Sequence, residues 1–294
     1  MSKEEFQVAP FRDEPYERTM QTAVVKALNV IWLYRFDFTS ESKVGIGDRK
    51  VEFVSSVDRK AQDEMVATLR EKHLLEEYGF ICEEEGVELW NGASPYFTID
   101  PLDGTCPFIR GNFHAVSSMV AAVRNGNVEA VCIGDLSTRE LISYGPTSTG
   151  VNYFSGERHV FLSDKSSHKG GLENSRLLLR RQVSHYSPVI QKLAEDSSEY
   201  LVTDESLGVW MARLWKQEVR MVVLCKGSKV TPWDITPIIG ISLKLGYAFL
   251  RVVGNGTRLE QFIPDLPVFA TERSEDVLII HEHDLSVVHS LMAE

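Results

Sequence analysis

Asp100-Pro101-Leu102-Asp103-Gly104-Thr105 is the stretch on which the reading of this chain turns. A β-prone run over residues 96–99 leads into it, and Pro101 disfavours helix at Asp100, so the chain leaves its strand extended. Asp103-Gly104 then turns the backbone, and a helix is expected to begin near Thr105. Two carboxylates on one turn, with the Leu102 carbonyl between them, can converge on a hard cation. Magnesium favours such oxygen ligands and keeps positions for water and substrate. The backbone N–H groups of Gly104, Thr105 and Cys106 are expected to point out of the same turn toward an anion. Taken alone, the hexapeptide is equally well an ordinary Asp-Gly turn, which needs no chemistry.

Working outward, residues 14–34 carry apolar positions at helical spacing, and a second helix is predicted from Asp58 through Met65, Leu69 and His73 to Tyr78. Strands are predicted at 115–123, 128–133 and 140–144. The first two are joined by Arg124-Asn125-Gly126-Asn127, whose Asn-Gly signals a hairpin. The polar, glycine-bearing stretch 155–174 suggests a seam, dividing the chain into an N-terminal half over 1–165 and a C-terminal half over 166–294. Beyond it, strands at 177–180, 219–224, 247–253 and 277–280 alternate with helices at 187–194, 206–217, 235–245 and 284–292. Such a mixture predicts a layered α/β protein.

With 294 residues, 43% of them hydrophobic, the chain has ample length for a large core. A net charge of −11 argues against a nucleic-acid partner, since phosphate backbones are held by clustered Lys and Arg. It does not exclude a small anionic substrate, because bound divalent cations invert the local field of an acidic site. Met1-Ser2-Lys3-Glu4-Glu5 is polar and no signal peptide follows; no apolar run is long enough to span a membrane. A cytoplasmic protein is therefore expected. Cys82, Cys106, Cys132 and Cys225 form no CxxC pair, which argues for reduced thiols rather than zinc or disulfides.

The hexapeptide resembles the DPxDGT signature of the inositol monophosphatase superfamily. Three further blocks follow that family's order and approximate spacing: Glu52-Phe53-Val54-Ser55-Ser56-Val57-Asp58, Phe80-Ile81-Cys82-Glu83-Glu84 and Thr231-Pro232-Trp233-Asp234. The resemblance implies an α-β-α-β-α sandwich of the inositol monophosphatase and fructose-1,6-bisphosphatase type, commonly dimeric, and magnesium-dependent hydrolysis of a small phosphate monoester. It implies Glu83, Asp100, the Leu102 carbonyl, Asp103 and Asp234 as metal ligands, with Glu84 standing in for Glu83 if the register slips by one. Glu83 also helps orient the attacking water, and Asp58 with Thr105 forms a carboxylate–hydroxyl pair that activates it. Gly104, Thr105, Cys106, Asp234 and Trp210 are implied on the substrate side. Without the shared order, a solvated acidic loop at Glu83 and a helix N-cap at Asp234 would be the preferred readings.

Departures gather on the specificity side. Cys82 replaces a family glycine, and Val209 and Trp210 replace small or hydroxylated residues after Gly208. Gly227 stands where inositol monophosphatases place a glutamate that contacts ring hydroxyls. A pocket lacking that acceptor is expected to select a bare polyol poorly. Two alternatives stay open: a phosphatase acting on the 3′-phosphate of phosphoadenosine phosphate, with Trp210 or Tyr247 stacking the base, and a noncatalytic regulatory member of the family.

Overall fold

The structure is a computed structural model that describes residues 15–44, 51–71, 78–84 and 95–292. Helix α1 (Pro15–Tyr34) precedes a two-stranded ribbon of β1 (Ser40–Val44) and β2 (Val51–Ser55), which runs directly into α2 (Ser56–Glu71). Seven strands then lie side by side in chain order: β3 (Gly79–Cys82), β4 (Tyr96–Asp103), β5 (Ser117–Arg124), β6 (Asn127–Asp135), β7 (Glu140–Tyr144), β8 (Asn152–Ser155) and β9 (Arg158–Phe161). Only β3 and β4 pair in parallel. The short helix α3 (Thr105–Ile109) leaves the end of β4.

The rest of the chain builds a second, mixed sheet. Its strands are β10 (Arg176–Leu179), β11 (Glu199–Val202), β12 (Met221–Leu224), β14 (Tyr247–Val253), β15 (Arg258–Phe262) and β17 (Val277–His281), in the spatial order β11-β10-β12-β17-β14-β15. A small ribbon pairs β13 (Lys229–Val230) with β16 (Thr271–Glu272). Helices α4 (Pro188–Asp196), α5 (Leu207–Trp215) and α6 (Pro232–Lys244) complete the set.

Side-chain alternation along the strands stacks these elements into five layers. Phe97, Ile99, Val120, Ala122, Ala130 and Cys132 face α1 and α2 on the outside of the first sheet. Their neighbours Met119, Ala121, Val131 and Ile133 face inward onto α5 and α6, where Val222, Phe249 and Ile279 of the second sheet meet them. Leu177, Leu179, Met221, Val223 and Leu278 pack on the far side against α4 and the C-terminal segment. The order is helices, sheet, helices, sheet, helices, which is the expected sandwich. Close approach between layers demands glycine in places: a Cβ on Gly240 of α6 would lie 2.7 Å from Val128 and 2.8 Å from the Tyr144 hydroxyl.

The hairpin at Asn125-Gly126 forms as the dipeptide predicts, with φ of 52° and 74°, both positive as its turn requires. Two expectations need correction. The second helix is described over Ser56–Glu71, and Tyr78 stands outside any helix just before β3; His73 falls outside the described residues, as do residues 1–5 and Glu14. Within the stretch 155–174, β9 forms the edge of the first sheet. The predicted C-terminal α-helix is a 3₁₀ helix over Glu282–Leu291. Leu285, Val288 and Leu291, spaced by three as suits a helix with three residues per turn, pack into the core together with Val287.

Candidate active site

The site grows from the end of β4. Asp100 and Asp103 both belong to that strand, and the pairing with β5 is irregular between them. Gly104 then takes a φ of 100°, a left-handed conformation, and a Cβ there would come within 2.5 Å of the Ala115 carbonyl oxygen. Glycine is required on both counts. Thr105, Cys106 and Pro107 form the first turn of α3, whose leading N–H groups have no intrahelical acceptor and where proline loses nothing.

Asp234 arrives from the opposite half of the chain. Thr231 caps α6 by accepting from the Asp234 amide at 3.1 Å, and Pro232 occupies its first turn. Asp100, Asp103 and Asp234 each offer an oxygen, and these atoms lie within 4.8 Å of one another. Asp100 Oδ1 is buried without any hydrogen-bond partner. Asp103 is anchored instead: its Oδ2 accepts from Ser117 Oγ at 2.7 Å and the Gly208 amide at 2.6 Å, and its Oδ1 from the Leu207 amide at 3.2 Å. The N-terminus of α5 is therefore pressed onto Asp103. Gly208 permits this, since a Cβ there would sit 2.4 Å from Ser117 Oγ.

Glu83 follows β3, and its amide donates to the Ile99 carbonyl at 3.1 Å, continuing the parallel pairing. It lines the same cleft as the three aspartates but stands outside their 4.8 Å group. Lys43 reaches both neighbouring glutamates, at 3.4 Å from Glu83 and 3.0 Å from Glu84. Glu84 is tied down by its backbone, which exchanges hydrogen bonds with the Gln62 side chain at 2.9 and 3.0 Å, and it does not line the cleft.

Asp58 lies in the first turn of α2. Its Oδ2 accepts from the Ser55 amide at 2.9 Å and from the Ser55 hydroxyl, and its Oδ1 accepts from Thr105 Oγ1 at 2.9 Å. The same threonine hydroxyl lies 3.2 Å from the Leu102 carbonyl. Burial pushes the Asp58 carboxyl up to about 6 despite these donors. Glu83, Asp100 and Asp103 are all raised, first by burial; the negative charge of Asp234 adds in each case, joined at Asp100 by Glu83 and Asp103 and at Glu83 by Glu84 and Asp58 against the opposing charge of Lys43. Crowded carboxylates with an oxygen left unpartnered are a donor set that fits a hard divalent cation.

Of the implied substrate-side residues, Gly104, Thr105, Cys106, Asp234 and Trp210 all line this cleft. Trp210 is only 2% exposed, with its indole N–H unpartnered. One expectation fails: Tyr247 is sealed in the middle layer with its hydroxyl on the Leu214 carbonyl at 2.8 Å, so it stacks on nothing in the cleft. Gly227 has a φ of 77° in the turn between Cys225 and Ser228, both of which line the cleft. Arg180, Lys229 and Arg273 line the cleft and were missed from sequence. Only Lys229, two residues before the Thr231 block, had a nearby signal. Cys82 is buried, and burial pushes its thiol up to about 12.

The family model described as "Inositol monophosphatase family" matches residues 13–284. Nus factor SuhB of Vibrio cholerae is 34% identical over 92 residues, covering 31% of this chain and 33% of that protein. Human inositol monophosphatase 2 is 33% identical over 98 residues, covering 32% and 33%. These alignments thus span about a third of the length of each curated relative. Among solved structures, the extragenic suppressor protein SuhB of Bartonella henselae superposes with a TM-score of 0.69 at 18% identity, covering 93% of this chain and 97% of that one. An IMPase/NADP phosphatase complexed with Mg2+ and phosphate gives 0.67 at 17% identity, covering 90% and 89%. Likeness at that identity establishes the sandwich fold.

Proposed function

The chain belongs to the inositol monophosphatase family, and from that premise we propose that it hydrolyses a small sugar, polyol or related phosphate monoester with magnesium. The observation that carries this reading is the meeting of Asp100, Asp103 and Asp234 within 4.8 Å, with Asp100 Oδ1 unpartnered. Glu83, Asp100, the Leu102 carbonyl, Asp103 and Asp234 are the groups that would hold the divalent ions. When bound, such ions supply Lewis acidity toward the phosphoryl oxygens and make water more acidic.

The chain's own residues supply the remaining parts. The leading N–H groups of α3, from Gly104 to Cys106, receive non-bridging phosphate oxygens. Thr105 Oγ1, held 2.9 Å from Asp58, positions the attacking water and takes up its proton while passing its own to the carboxylate. An Asp58 carboxyl raised to about 6 suits that acceptor role near neutral pH. Glu83, half-buried, and Asp100, buried, orient the same water from the other side. Water attacks phosphorus in line, the ester P–O bond breaks, and the leaving alkoxide takes a proton from solvent water, while the proton on Asp58 returns to solvent.

A binding-only role gives no reason to hold several buried like charges, which destabilise the metal-free protein. The nucleotide alternative loses Tyr247 and retains only a buried Trp210 as its stacking surface. A homodimer in the cytoplasm is proposed with this reading, and sedimentation of the purified protein checks the dimer. The decisive experiment is phosphate release from a broad ester panel, with magnesium and with a chelator. Release that needs magnesium is expected for at least one ester; none from any ester would sink the reading.

A further inference from the structure

Between β15 and β16 the chain runs beside α6 as a loop over residues 263–270. Next to this loop lies a second pocket, with about 610 Å³ of empty space counting its open mouth, inside the usual range for small-molecule sites. Leu224, Phe249, Phe262 and Val277 of the second sheet line it together with Ile235 and Ile239 of α6. It shares only Leu224 and Arg273 with the cleft that holds the carboxylates. The loop does not fill it: Pro264 and Pro267 border the space, whereas the larger apolar side chains Ile263 and Phe269 are exposed. Ile239 and Pro264 also border a groove that runs on to Leu243 and Ile263, both exposed. The charges of that groove are already met, Lys244 by the Ser148 carbonyl at 2.8 Å and Glu129 by Arg124 at 3.1 Å. Contiguous apolar surface left open in this way marks a place where a ligand sits.

The pocket has one cationic group in its lining, Arg273. Among the described residues, its side chain makes no ion pair or hydrogen bond, and its Nε is buried without an acceptor. The carboxylates that act on it are engaged elsewhere. Asp276 accepts from the Ser187 amide at 2.8 Å, the Ser187 hydroxyl at 2.7 Å and the Lys226 amide at 2.7 Å. Glu275 accepts from the Ser274 hydroxyl, and Asp234 belongs to the carboxylate cluster. Asp265, the other charged residue of the lining, is exposed, where water and salt screen it. Burial lowers the pKa of Arg273 only to about 10, so it stays charged at neutral pH. An unpaired guanidinium beside unfilled apolar surface is unfavourable on both counts, and an anion with an apolar body relieves both.

We propose that this pocket binds a free carboxylate carrying an unbranched apolar chain, with the carboxylate on Arg273 and the chain against Ile235, Ile239 and Phe249. A carboxylate accepts two parallel hydrogen bonds from a guanidinium. An alcohol of the same length brings no charge, and an amine adds a second cation. The groove toward Leu243 takes the end of a longer chain. The bound chain packs on Ile235, the neighbour of Asp234, and so steadies the first turn of α6 that presents that aspartate.

The probes are octanoate, octan-1-ol and octylamine at equal concentration, added to the full chain in the presence of a chelator. Thermal melting is followed by intrinsic tryptophan fluorescence. Octanoate is expected to raise the melting temperature by at least about 2 °C near saturation, and the other two by less. Arg273→Gln is expected to bring octanoate down to the level of octanol. Val230→Trp, which adds bulk to the pocket from the β13 ribbon, is expected to lose the shift altogether. Each variant melted without ligand controls for folding. Hydrogen exchange on the parent protein needs no variant, and octanoate is expected to slow it over 235–239 and 262–273. Octanoate shifts that persist with magnesium and inorganic phosphate present place the ligand outside the carboxylate cleft and support the proposal. Loss of the shift under those conditions overturns it, as do equal shifts with octanol or protection confined to other segments. A pocket already closed by Phe269 or by a second copy of the chain gives no shift with octanoate, and that result overturns it too.

Discussion

Asp103 receives three hydrogen bonds while Asp100 Oδ1 receives none, although the two carboxylates lie on the same strand end. The asymmetry separates them: one is fixed by the fold, and the other, under the proposed function, is the one left for a metal ion. Asp100→Asn removes charge from a crowded, buried cluster. Turnover is expected to fall at least about a hundredfold, while the metal-free protein melts at the same or a higher temperature. Phosphate release and thermal melts on the purified variant measure both, and activity within a few-fold of the parent would remove Asp100 from the site. Gly208→Ala tests the anchoring of its neighbour. The new methyl meets Ser117 Oγ, so α5 must retreat from Asp103, at a cost of about 1–3 kcal/mol in urea unfolding with reduced turnover. At this scale, the Asp100 to Thr105 segment was legible because its residues are contiguous and their backbone demands are local. Arg180 and Arg273 were not, since single arginines far apart in sequence carry no pattern until the β13–β16 ribbon and the end of β10 bring them together.

Elements that are buried on one face or two announced themselves, and those that are not did not. The strand over Glu140–Tyr144 was readable to its boundaries, and β14 likewise, because each is short, mostly apolar and β-prone. β9 escaped notice because all four of its residues are exposed, leaving no alternation to detect. The C-terminal segment was recognised as helical but misjudged in type, as spacings of three and four are hard to separate over ten residues. That segment is held to the second sheet by a buried ion pair: Arg220 reaches Asp284 at 2.6 Å, with side chains 3% and 5% exposed. Arg220 also donates to the Gly170 carbonyl at 3.0 Å and to Ser175 Oγ at 3.1 Å, fastening the loop before β10. Asp284→Ala leaves that guanidinium buried and uncompensated. A loss of about 3–5 kcal/mol in chemical denaturation is expected, and a loss below 1 kcal/mol would show that water readily reaches Arg220.

For the molecule as a whole, the site sets the pH response. Asp58 is raised from 3.8 to about 6, so the folded protein holds that proton more tightly than the unfolded chain. The resulting stabilisation is full below about pH 4 and is lost as pH climbs through about 6, a difference of roughly 3 kcal/mol. Glu83, Asp100 and Asp103 are shifted in the same direction and add with the same sign. Metal-free protein should therefore melt at a higher temperature at pH 5 than at pH 8. Magnesium should raise the pH 8 value most, since the cation takes the place of the missing protons. Melting curves at both pH values with chelator or magnesium decide it; a metal-free protein more stable at pH 8 would contradict the shifts. The layered architecture was foreseeable from alternating strands and helices together with four ordered blocks. Which helices lie in the middle layer was not, because burial on several sides removes the amphipathic stripe that would orient them.

That middle layer has a consequence for how the protein comes into being. Glu83, Asp100 and Asp103 belong to the first sheet or its immediate continuation, but Asp234 rides on α6, which lies between the two sheets. During synthesis the first three acids emerge well before the fourth, so a partly made chain carries an incomplete set and has little hold on a divalent ion. Chemical competence is thus deferred until the last third of the polypeptide has wrapped back onto the first. Under the proposed function, a divalent ion would then be a fastener added at the end, rewarding only those molecules in which α6 has closed onto the first sheet.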